Sequence, residues 1–461
     1  MKSAGSINNT LIEDYKTFLR FPSISSDSRY KQSVKECAEW LASYLKKMGL
    51  TQTMIHPTPL HPIVYSEIIL HPSYPTILFY GHYDVQPPGP ANEWHTDPFQ
   101  PMVKDGIMYA RGAADDKGQI FLHLKAIKHV LRNRAHFRVN IKCIFEGEEE
   151  IGSPDLSSFI RANREKVKCQ VAVISDTKMK SADVPAITYS LRGSLNAVIR
   201  LQTANKELHA GTFGGMAENP VNILARMISA MQNKKGQITI PGFYDRVHEP
   251  GSYERAFMKQ QGPSDQSLLR SADLDEAARE EGYSLYEQTT IRPAIIVSGI
   301  SAGHAGAGVK NIIPATATAT INMRLVNDQD PVAIARSFAE YVIKQVPRQC
   351  RCTVRFSALS RPVEISRTHP YMNAVARAYT ANFPFPPVFL RSGGTIPVVG
   401  LLSQELRIPV ILMGFALASD NLHAANEKFS LQTLYRGINT SIAFMKNLSD
   451  SSTFLYGINN N

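Results

Sequence analysis

The stretch Tyr80-Gly-His82-Tyr-Asp84-Val-Gln-Pro87 places an imidazole and a carboxylate two residues apart, at the point where an apolar run ends. Short, continuous apolar runs of this kind occupy residues 76–80, 139–145, 171–174 and 410–413. Runs of this length are typical of strands that are buried on both faces of a sheet. Open α/β sheets bind ligands beyond the carboxyl ends of their strands. The sequence therefore predicts an α/β fold in which the polar groups after these runs share one crevice.

A histidine or an acidic residue follows each of the four runs, and Asp115 lies in a separate motif between the first two. The side chains in question are His82, Asp115, Glu149, Glu150, Asp176 and His423. Each one alone would be an ordinary strand-end, loop or cap residue. Together they form a set of imidazole nitrogen and carboxylate oxygen donors, which suits a pair of divalent metal ions.

The order and spacing of these motifs resemble the co-catalytic zinc metallopeptidases, a family that includes glutamate carboxypeptidase, aminoacylase, succinyl-diaminopimelate desuccinylase and the carnosinase-like dipeptidases. The resemblance extends from about residue 11 to about residue 444. Motifs at residues 81–87, 208–215, 310–314 and 391–397 look most like the carnosinase-like branch. The resemblance implies a zinc-dependent hydrolase for dipeptides or short peptides with a free C-terminal carboxylate. An N-acyl amino acid deacylase is the alternative.

By position, the resemblance implies five metal ligands, namely His82, Asp115, Glu150, Asp176 and His423. Asp115 would bridge two metal ions and offset their mutual repulsion. His82 and Asp176 would complete one metal site, and Glu150 and His423 would complete the other. The resemblance also implies a cis peptide bond between Asp115 and Asp116. Zinc is the implied metal, with manganese and cobalt as alternatives.

The same resemblance makes Glu149 the general base that takes the proton of a metal-bridging water. Adjacent glutamates in an extended segment point to opposite sides, so Glu149 and Glu150 divide into one base and one ligand unless the backbone turns there. Asp84 lies two residues beyond His82, and we predict that its carboxylate accepts a hydrogen bond from that imidazole. A turn or cap aspartate is the alternative interpretation of Asp84. A ligand-binding relative without catalysis is disfavoured because Glu149 is present beside all five ligands.

Changes in the pattern of polar and apolar residues along the chain predict a catalytic domain that is interrupted by another domain. Strands and helices alternate through Asp176, which is typical of a mostly parallel, doubly wound sheet. Residues 195–203 and 315–325 instead alternate polar and apolar side chains, as half-exposed strands do. We predict catalytic parts at residues 1–189 and 359–461, with an inserted α+β lid and dimerisation domain at residues 190–358. The charged stretch at residues 242–292 is predicted to modify the lid.

A histidine of the predicted lid is a further catalytic candidate. His209 lies in the motif Leu208-His-Ala-Gly211. It resembles the histidine that, in dimeric members of the family, reaches the metal site of the partner subunit and donates to the developing oxyanion. The resemblance therefore implies a homodimer built through the lid. An ordinary surface histidine is the alternative.

Two arginines and a glycine pair are candidates for binding the substrate. Arg324 and Arg391 resemble the residues that bind the C-terminal carboxylate, and the N–H groups of Gly393 and Gly394 are placed to meet it. A salt bridge is the alternative for each arginine. Ser392 departs from the carnosinase-like pattern, which commonly has an acid there, and this departure favours an N-acylated substrate.

Composition excludes several other classes of protein. The formal net charge is +10, yet the basic residues are scattered without the Lys/Arg-rich block of a nucleic-acid binder. The chain has no run of about 18 apolar residues, and residues 1–10 lack the apolar core of a signal peptide. The 5 cysteines do not have the spacing of a disulfide framework. We predict a cytoplasmic protein without a nucleic-acid or membrane partner.

Overall fold

The computed structural model describes residues 9–451, which form two compact units. Unit 1 comprises the described residues up to Tyr189, together with Ile365–Leu390 and the residues from Pro397 onwards. Unit 2 comprises Ser190–Glu364 and Arg391–Ile396. The first eight residues, which entered the localisation prediction, lie outside the described range.

Unit 2 differs in extent from the insertion that the sequence predicts at residues 190–358. The strand Arg351–Ser360 crosses the predicted boundary, because its pairing with the neighbouring strand continues to Ser360 opposite Ser194. The segment Arg391–Ile396 also joins unit 2, since the Thr395 hydroxyl donates to the Arg192 carbonyl oxygen at 2.6 Å. Both additions depend on pairings between residues that are distant in sequence, which local patterns do not reveal.

The α-helices of the described residues are α1 (Asn9–Leu19), α2 (Lys31–Met48), α3 (Lys117–Arg132), α4 (Leu156–Ala162), α5 (Arg164–Val167), α6 (Ala210–Phe213), α7 (Pro220–Ser229), α8 (Ser252–Gln261), α9 (Asp265–Ala272), α10 (Leu285–Thr290), α11 (Pro331–Lys344), α12 (Pro370–Thr380), α13 (Pro397–Leu406) and α14 (Leu431–Asp450).

The β-strands are β1 (Gln52–His56), β2 (Ile63–Ile68), β3 (Thr76–His82), β4 (Met102–Lys104), β5 (Ile107–Tyr109), β6 (Asn140–Glu146), β7 (Val171–Ile174), β8 (Ala186–Leu191), β9 (Gly193–Gln202), β10 (Leu208–His209), β11 (Ala294–Ala302), β12 (Ile312–Ile313), β13 (Thr316–Leu325), β14 (Arg351–Ser360), β15 (Val363–Glu364), β16 (Val388–Ser392), β17 (Val410–Met413) and β18 (Lys428–Ser430).

The main sheet of unit 1 is mixed, with the order β1-β2-β6-β3-β7-β17-β8. Its centre is parallel, because β3 pairs with β6 and β7, and β17 pairs with β7, in that sense. These four strands are the four apolar runs of the sequence, and every residue in them is buried. The predicted α/β class is therefore confirmed, and antiparallel strands are added on both sides of the parallel centre. The carboxyl ends of the parallel strands meet at one edge.

Helix α3 begins directly after the loop that carries Asp115. Gly118, in its first turn, approaches that loop so closely that a Cβ atom would lie 2.0 Å from the Ala113 carbonyl oxygen. Only glycine fits such a close approach. Deeper in the unit, the His123 ring hydrogen-bonds the Ser441 hydroxyl on α14 and the Ser175 hydroxyl next to Asp176. Burial lowers the pKa of His123 to about 3, so this histidine is neutral.

Unit 2 contains a four-stranded antiparallel sheet with the order β11-β13-β9-β14. Strand β13 alternates between buried and half-buried residues along its whole length, as the sequence pattern predicts. Its buried face packs with α7 and α11 in one apolar core that includes Ile223 and Phe338. The charged stretch at residues 242–292 contributes α8, α9 and α10 to this unit.

Across residues 9–451, no helix combines the length and the apolar character that crossing a bilayer requires. All cysteines are free thiols, and Cys37, Cys143 and Cys169 are buried.

Candidate metal centre

The ligand candidates belong to unit 1, and most of them lie at one edge of its main sheet. His82 is the last residue of β3, and Asp176 lies two residues beyond β7. Glu149 and Glu150 begin a short 3-10 turn shortly after β6. The two remaining candidates, Asp115 and His423, lie in loops, and the Asp115–Asp116 peptide bond is cis, as the resemblance implies.

Asp115 lies between the two histidines. Its Oδ1 atom is 3.2 Å from His82 Nε2, and its Oδ2 atom is 2.9 Å from His423 Nε2. The two carboxylate oxygens therefore face different imidazoles. A carboxylate that bridges two metal ions needs this division, since each oxygen must serve a different ion.

Two groups of side chains bring their donor atoms within 4.8 Å of one another, as metal ligands must. One group is His82, Glu149 and Asp176, and the other is His82, Asp115 and Glu150. His423 joins the second group, because its Nε2 atom lies 3.5 Å from Glu150 Oε1.

Two buried donor atoms of this cluster, His82 Nε2 and Glu150 Oε1, make no well-directed hydrogen bond, although each lies close to another side chain of the cluster, at 3.2 Å from Asp115 and 3.5 Å from His423 respectively. A buried polar atom without a partner is costly, at roughly 1–3 kcal/mol. Bound metal ions would supply the missing partners. The donor set and these two atoms therefore fit a metal centre.

The electrostatics of the cluster are dominated by burial and close charges. Burial raises the pKa of Asp176 far above its ordinary value, and the negative charge of Asp115 raises it further. Burial also raises the pKa of Glu149 to about 7. The nearby carboxylates of Asp115 and Glu150 raise the pKa of His423 to about 10. The acids and imidazoles thus share protons in a confined space, and bound cations would replace those protons.

Asp84 contacts both the imidazole of His82 and the turn that carries the glutamates. His82 Nδ1 lies 3.1 Å from the Asp84 carbonyl oxygen and 3.5 Å from Asp84 Oδ1. The Asp84 carboxylate accepts the backbone N–H groups of Glu149 at 3.2 Å and Glu150 at 3.1 Å. The backbone does turn at the two glutamates, so their divergence comes from this turn and not from an extended strand.

Sequence reasoning missed two residues that contact the cluster. Gln86 Nε2 donates to Glu150 Oε2 at 2.7 Å. Glu427 accepts the backbone N–H of Asp115 at 3.0 Å. Gln86 lies four residues after His82, and Glu427 lies four residues after His423. Their spacing from the histidines was the available signal.

The other catalytic candidate, His209, belongs to unit 2. It is exposed, in β10, where it pairs with Ile312 of β12. Its Nδ1 atom lies 3.3 Å from the Thr212 hydroxyl. The ring is therefore open on most sides within its own unit.

The two candidate arginines have different surroundings, both within unit 2. Arg391 Nη1 lies 2.7 Å from Glu364, and Arg391 Nη2 lies 3.0 Å from Glu254 on α8. Arg324 Nη1 donates to the Thr395 hydroxyl at 3.1 Å. Within residues 9–451, no carboxylate forms an ion pair with Arg324. The positive charge of Arg391 is thus balanced by two carboxylates, whereas that of Arg324 is balanced by none among the described residues.

Arg192 is a third arginine of this region, and it too forms no ion pair among the described residues. Its Nε atom donates to the Gly393 carbonyl oxygen at 3.1 Å. Burial and the positive charge of Arg324 lower the pKa of Arg192 to about 10. The Gly394 N–H donates to the Ser392 hydroxyl at 3.1 Å.

Comparisons with known proteins agree on one family. The sequence model of Peptidase family M20/M25/M40 matches residues 78–447. The Cys-Gly metallodipeptidase of Schizosaccharomyces pombe is 29% identical over 94% of both chains. The Beta-Ala-His dipeptidase of Homo sapiens is 27% identical over 94% of this chain and 89% of its own. The crystal structure of an M20 family metallo-carboxypeptidase from Sulfolobus solfataricus superposes with a TM-score of 0.86 at 30% identity, covering 95% of this chain and 99% of the other.

Proposed function

The chain belongs to Peptidase family M20/M25/M40, and we propose that it is a two-metal dipeptidase acting on short peptides with a free C-terminal carboxylate. The family resemblance that the sequence motifs predict is thereby confirmed. The chain is an enzyme of the metallopeptidase class. Its substrate, metal and mechanism are the parts that we propose.

The observation that carries this proposal is the position of Asp115 between His82 and His423, next to buried donor atoms that make no well-directed hydrogen bond. Two imidazoles and several carboxylates in a compact cluster suit zinc, with manganese and cobalt as alternatives. Asp115 would bridge the ions, with Asp176 and Glu150 as outer ligands of the two positions.

Bound metal ions would polarise the scissile carbonyl group and lower the pKa of the attacking water toward about 7. Glu149 would take the proton from this water as the carbon–oxygen bond forms. It would then return the proton to the leaving nitrogen as the carbon–nitrogen bond breaks. Asp84 orients both catalytic elements, since its backbone oxygen holds the His82 ring and its carboxylate holds the turn at Glu149.

Arg324 is the proposed binding residue for the C-terminal carboxylate of the substrate, and the absence of a neutralising carboxylate among residues 9–451 supports this role. Arg192 adds a second positive charge nearby. At Arg391 a substrate carboxylate would have to compete with Glu254 and Glu364. The N–H groups of Gly393 and Gly394 remain proposed contacts of the same carboxylate. To bind it, the Gly394 N–H would have to give up its hydrogen bond to the Ser392 hydroxyl.

Replacing Arg324 with methionine is expected to raise KM for dipeptides about 10- to 100-fold with a smaller change in kcat, because a charged hydrogen bond contributes about 1.5–3 kcal/mol to binding. The matched control is Arg361→Met in the same unit, where the arginine forms an ion pair with Asp330. Steady-state kinetics on a dipeptide and on its C-terminal amide provide the measurement. If the variant still prefers the free acid as strongly as the wild type does, Arg324 does not bind that carboxylate.

A homodimer built through unit 2 is part of the proposal. Strand β11 is an edge strand of its sheet, and Ile296, Val297 and Ile300 are exposed on it. An exposed edge strand with apolar side chains favours association with a second chain. In such a dimer His209 would reach the metal centre of the partner and donate to the oxyanion that develops during attack.

Replacing His209 with alanine is expected to lower kcat by about 10²–10³-fold, which is the usual loss for one oxyanion donor. The exposed His304 of the same unit provides the control variant, His304→Ala. Mixing His209→Ala with Glu149→Gln should restore activity after subunit exchange, because some sites then contain both an intact base and an intact partner histidine. Confirmed exchange without recovered activity would refute the shared site.

The second candidate function is hydrolysis of N-acyl amino acids, and Ser392 is the residue that favours it. Carnosinase-like relatives commonly have an acid at this position, and a serine cannot pair with a free amino group by charge. Turnover of a dipeptide panel and a matched N-acyl amino acid panel by the metal-loaded enzyme separates the two functions. We expect the dipeptides to have the higher kcat/KM.

For the compartment we propose the cytoplasm, supported by the free cysteines.

A further inference from the structure

We propose that the buried ion pair between Arg111 and Glu427 is a positioning device that holds the metal-binding loops together and couples the two metal positions. The inference rests on the proposed two-metal centre. Neither residue is a candidate ligand, and both belong to unit 1. Arg111 is 1% exposed, and Glu427 is fully buried.

The carboxylate of Glu427 fixes the backbone of the loop that ends at Asp115. Its Oε1 atom accepts the N–H groups of Ala114 at 2.8 Å and Asp115 at 3.0 Å. Its Oε2 atom accepts the N–H of Gly112 at 2.8 Å. Three backbone donors of one loop therefore depend on a single carboxylate, and the last of them belongs to the residue proposed to bridge the metal ions.

The guanidinium of Arg111 connects this carboxylate to two other loops. Arg111 Nη1 donates to Glu427 Oε2 at 2.8 Å. Arg111 Nη2 donates to the carbonyl oxygens of Pro87 at 3.3 Å and Ala424 at 3.1 Å. Pro87 closes the stretch that begins near His82, and Ala424 follows His423 directly. One side chain thus connects the loops of the two histidines.

A purely structural role is the competing explanation, because breaking any buried ion pair destabilises a protein. The two explanations differ in what they predict for the metal ions. If the pair positions Asp115 between His82 and His423, its loss should weaken both metal positions together. A structural defect elsewhere would lower thermal stability without changing the intrinsic affinity for either ion.

Glu427→Gln is the sharpest test, since glutamine keeps the shape but directs an amide N–H₂ group at other donors. We expect both stepwise dissociation constants for Zn²⁺ to rise about 10- to 100-fold, the usual effect of losing a contact that orients a ligand. Competition with a chelating dye measures these constants, and the absorption spectrum of the Co²⁺-loaded protein reports the ligand geometry. The control is Glu405→Gln, which removes the ion pair between Glu405 and the exposed Arg161.

Two further variants keep the test informative if Glu427→Gln folds poorly. Arg111→Lys retains the charge opposite Glu427, but one amine cannot reach all the acceptors of the guanidinium, so we expect a smaller loss at both positions. Gln86→Met removes a contact with Glu150 alone and should weaken one position only.

Parallel weakening of both metal positions in Glu427→Gln, with an unchanged circular dichroism spectrum, supports the positioning role. Wild-type dissociation constants combined with a lower melting temperature would overturn it, as would weakening of a single position. If the wild-type protein itself binds fewer than two ions, the proposed function fails first and the inference fails with it. The wild-type titration therefore distinguishes the two failures.

Discussion

Replacing Glu149 with glutamine is expected to lower kcat for dipeptide hydrolysis by at least about 10²–10⁴-fold while both metal ions stay bound. The amide has nearly the same shape as the carboxylate, but it cannot accept the proton of the attacking water. Steady-state kinetics combined with elemental analysis of the same sample measure both quantities.

The control for this experiment is Glu165→Gln on α5, where the glutamate is exposed and pairs only loosely with Lys168 at 4.0 Å. That variant should keep the wild-type kcat. A fully metallated Glu149→Gln enzyme with the wild-type turnover number would remove Glu149 from the role of general base. A variant that has lost metal would instead make Glu149 a ligand, in line with its position beside His82 and Asp176.

Replacing Asp115 with alanine is expected to abolish tight binding at both metal positions and, with it, measurable hydrolysis. Two divalent ions about 3.5–4 Å apart repel each other strongly, and a bridging carboxylate offsets this repulsion. Alanine also leaves the imidazoles of His82 and His423 without the oxygen atoms that they contact. Elemental analysis after dialysis gives the number of bound ions per chain.

Asp183→Ala is the matched control, because Asp183 forms a partly exposed ion pair with Arg436 in the same unit and contacts no ligand candidate. It should bind metal as the wild type does. An Asp115→Ala protein that retains two tightly bound ions would refute the bridging role, and retention of one ion would show that the two positions are independent.

The sequence predicted those parts of the fold that local patterns determine. Mostly apolar runs identified β3, β6, β7 and β17, since a strand covered on both faces has few polar positions. Helix α2 ends at Gly49, a residue type that commonly ends helices, in the left-handed conformation with φ of 110°. Alternating side chains identified β13 in the same way. In each case the signal lies within a single segment.

The remainder of the site depends on contacts between distant segments. Glu427 and Asp115 are 312 residues apart, yet they share a hydrogen bond. The acids Glu254 and Glu364, which neutralise Arg391, come from α8 and β15. No local pattern reports such pairings, and the sequence therefore left the salt bridge and the carboxylate-binding role open for that arginine.

The most direct test of the central claim is a titration of the metal-free protein with Zn²⁺, in which the rate of dipeptide hydrolysis is followed against added equivalents. We predict no hydrolysis without metal and a rate that reaches its plateau at two equivalents per chain. Hydrolysis by the metal-free protein, or a plateau at one equivalent, would contradict a co-catalytic pair of metal ions. Failure to hydrolyse any dipeptide with a free carboxylate at full metal occupancy would contradict the proposed substrate class.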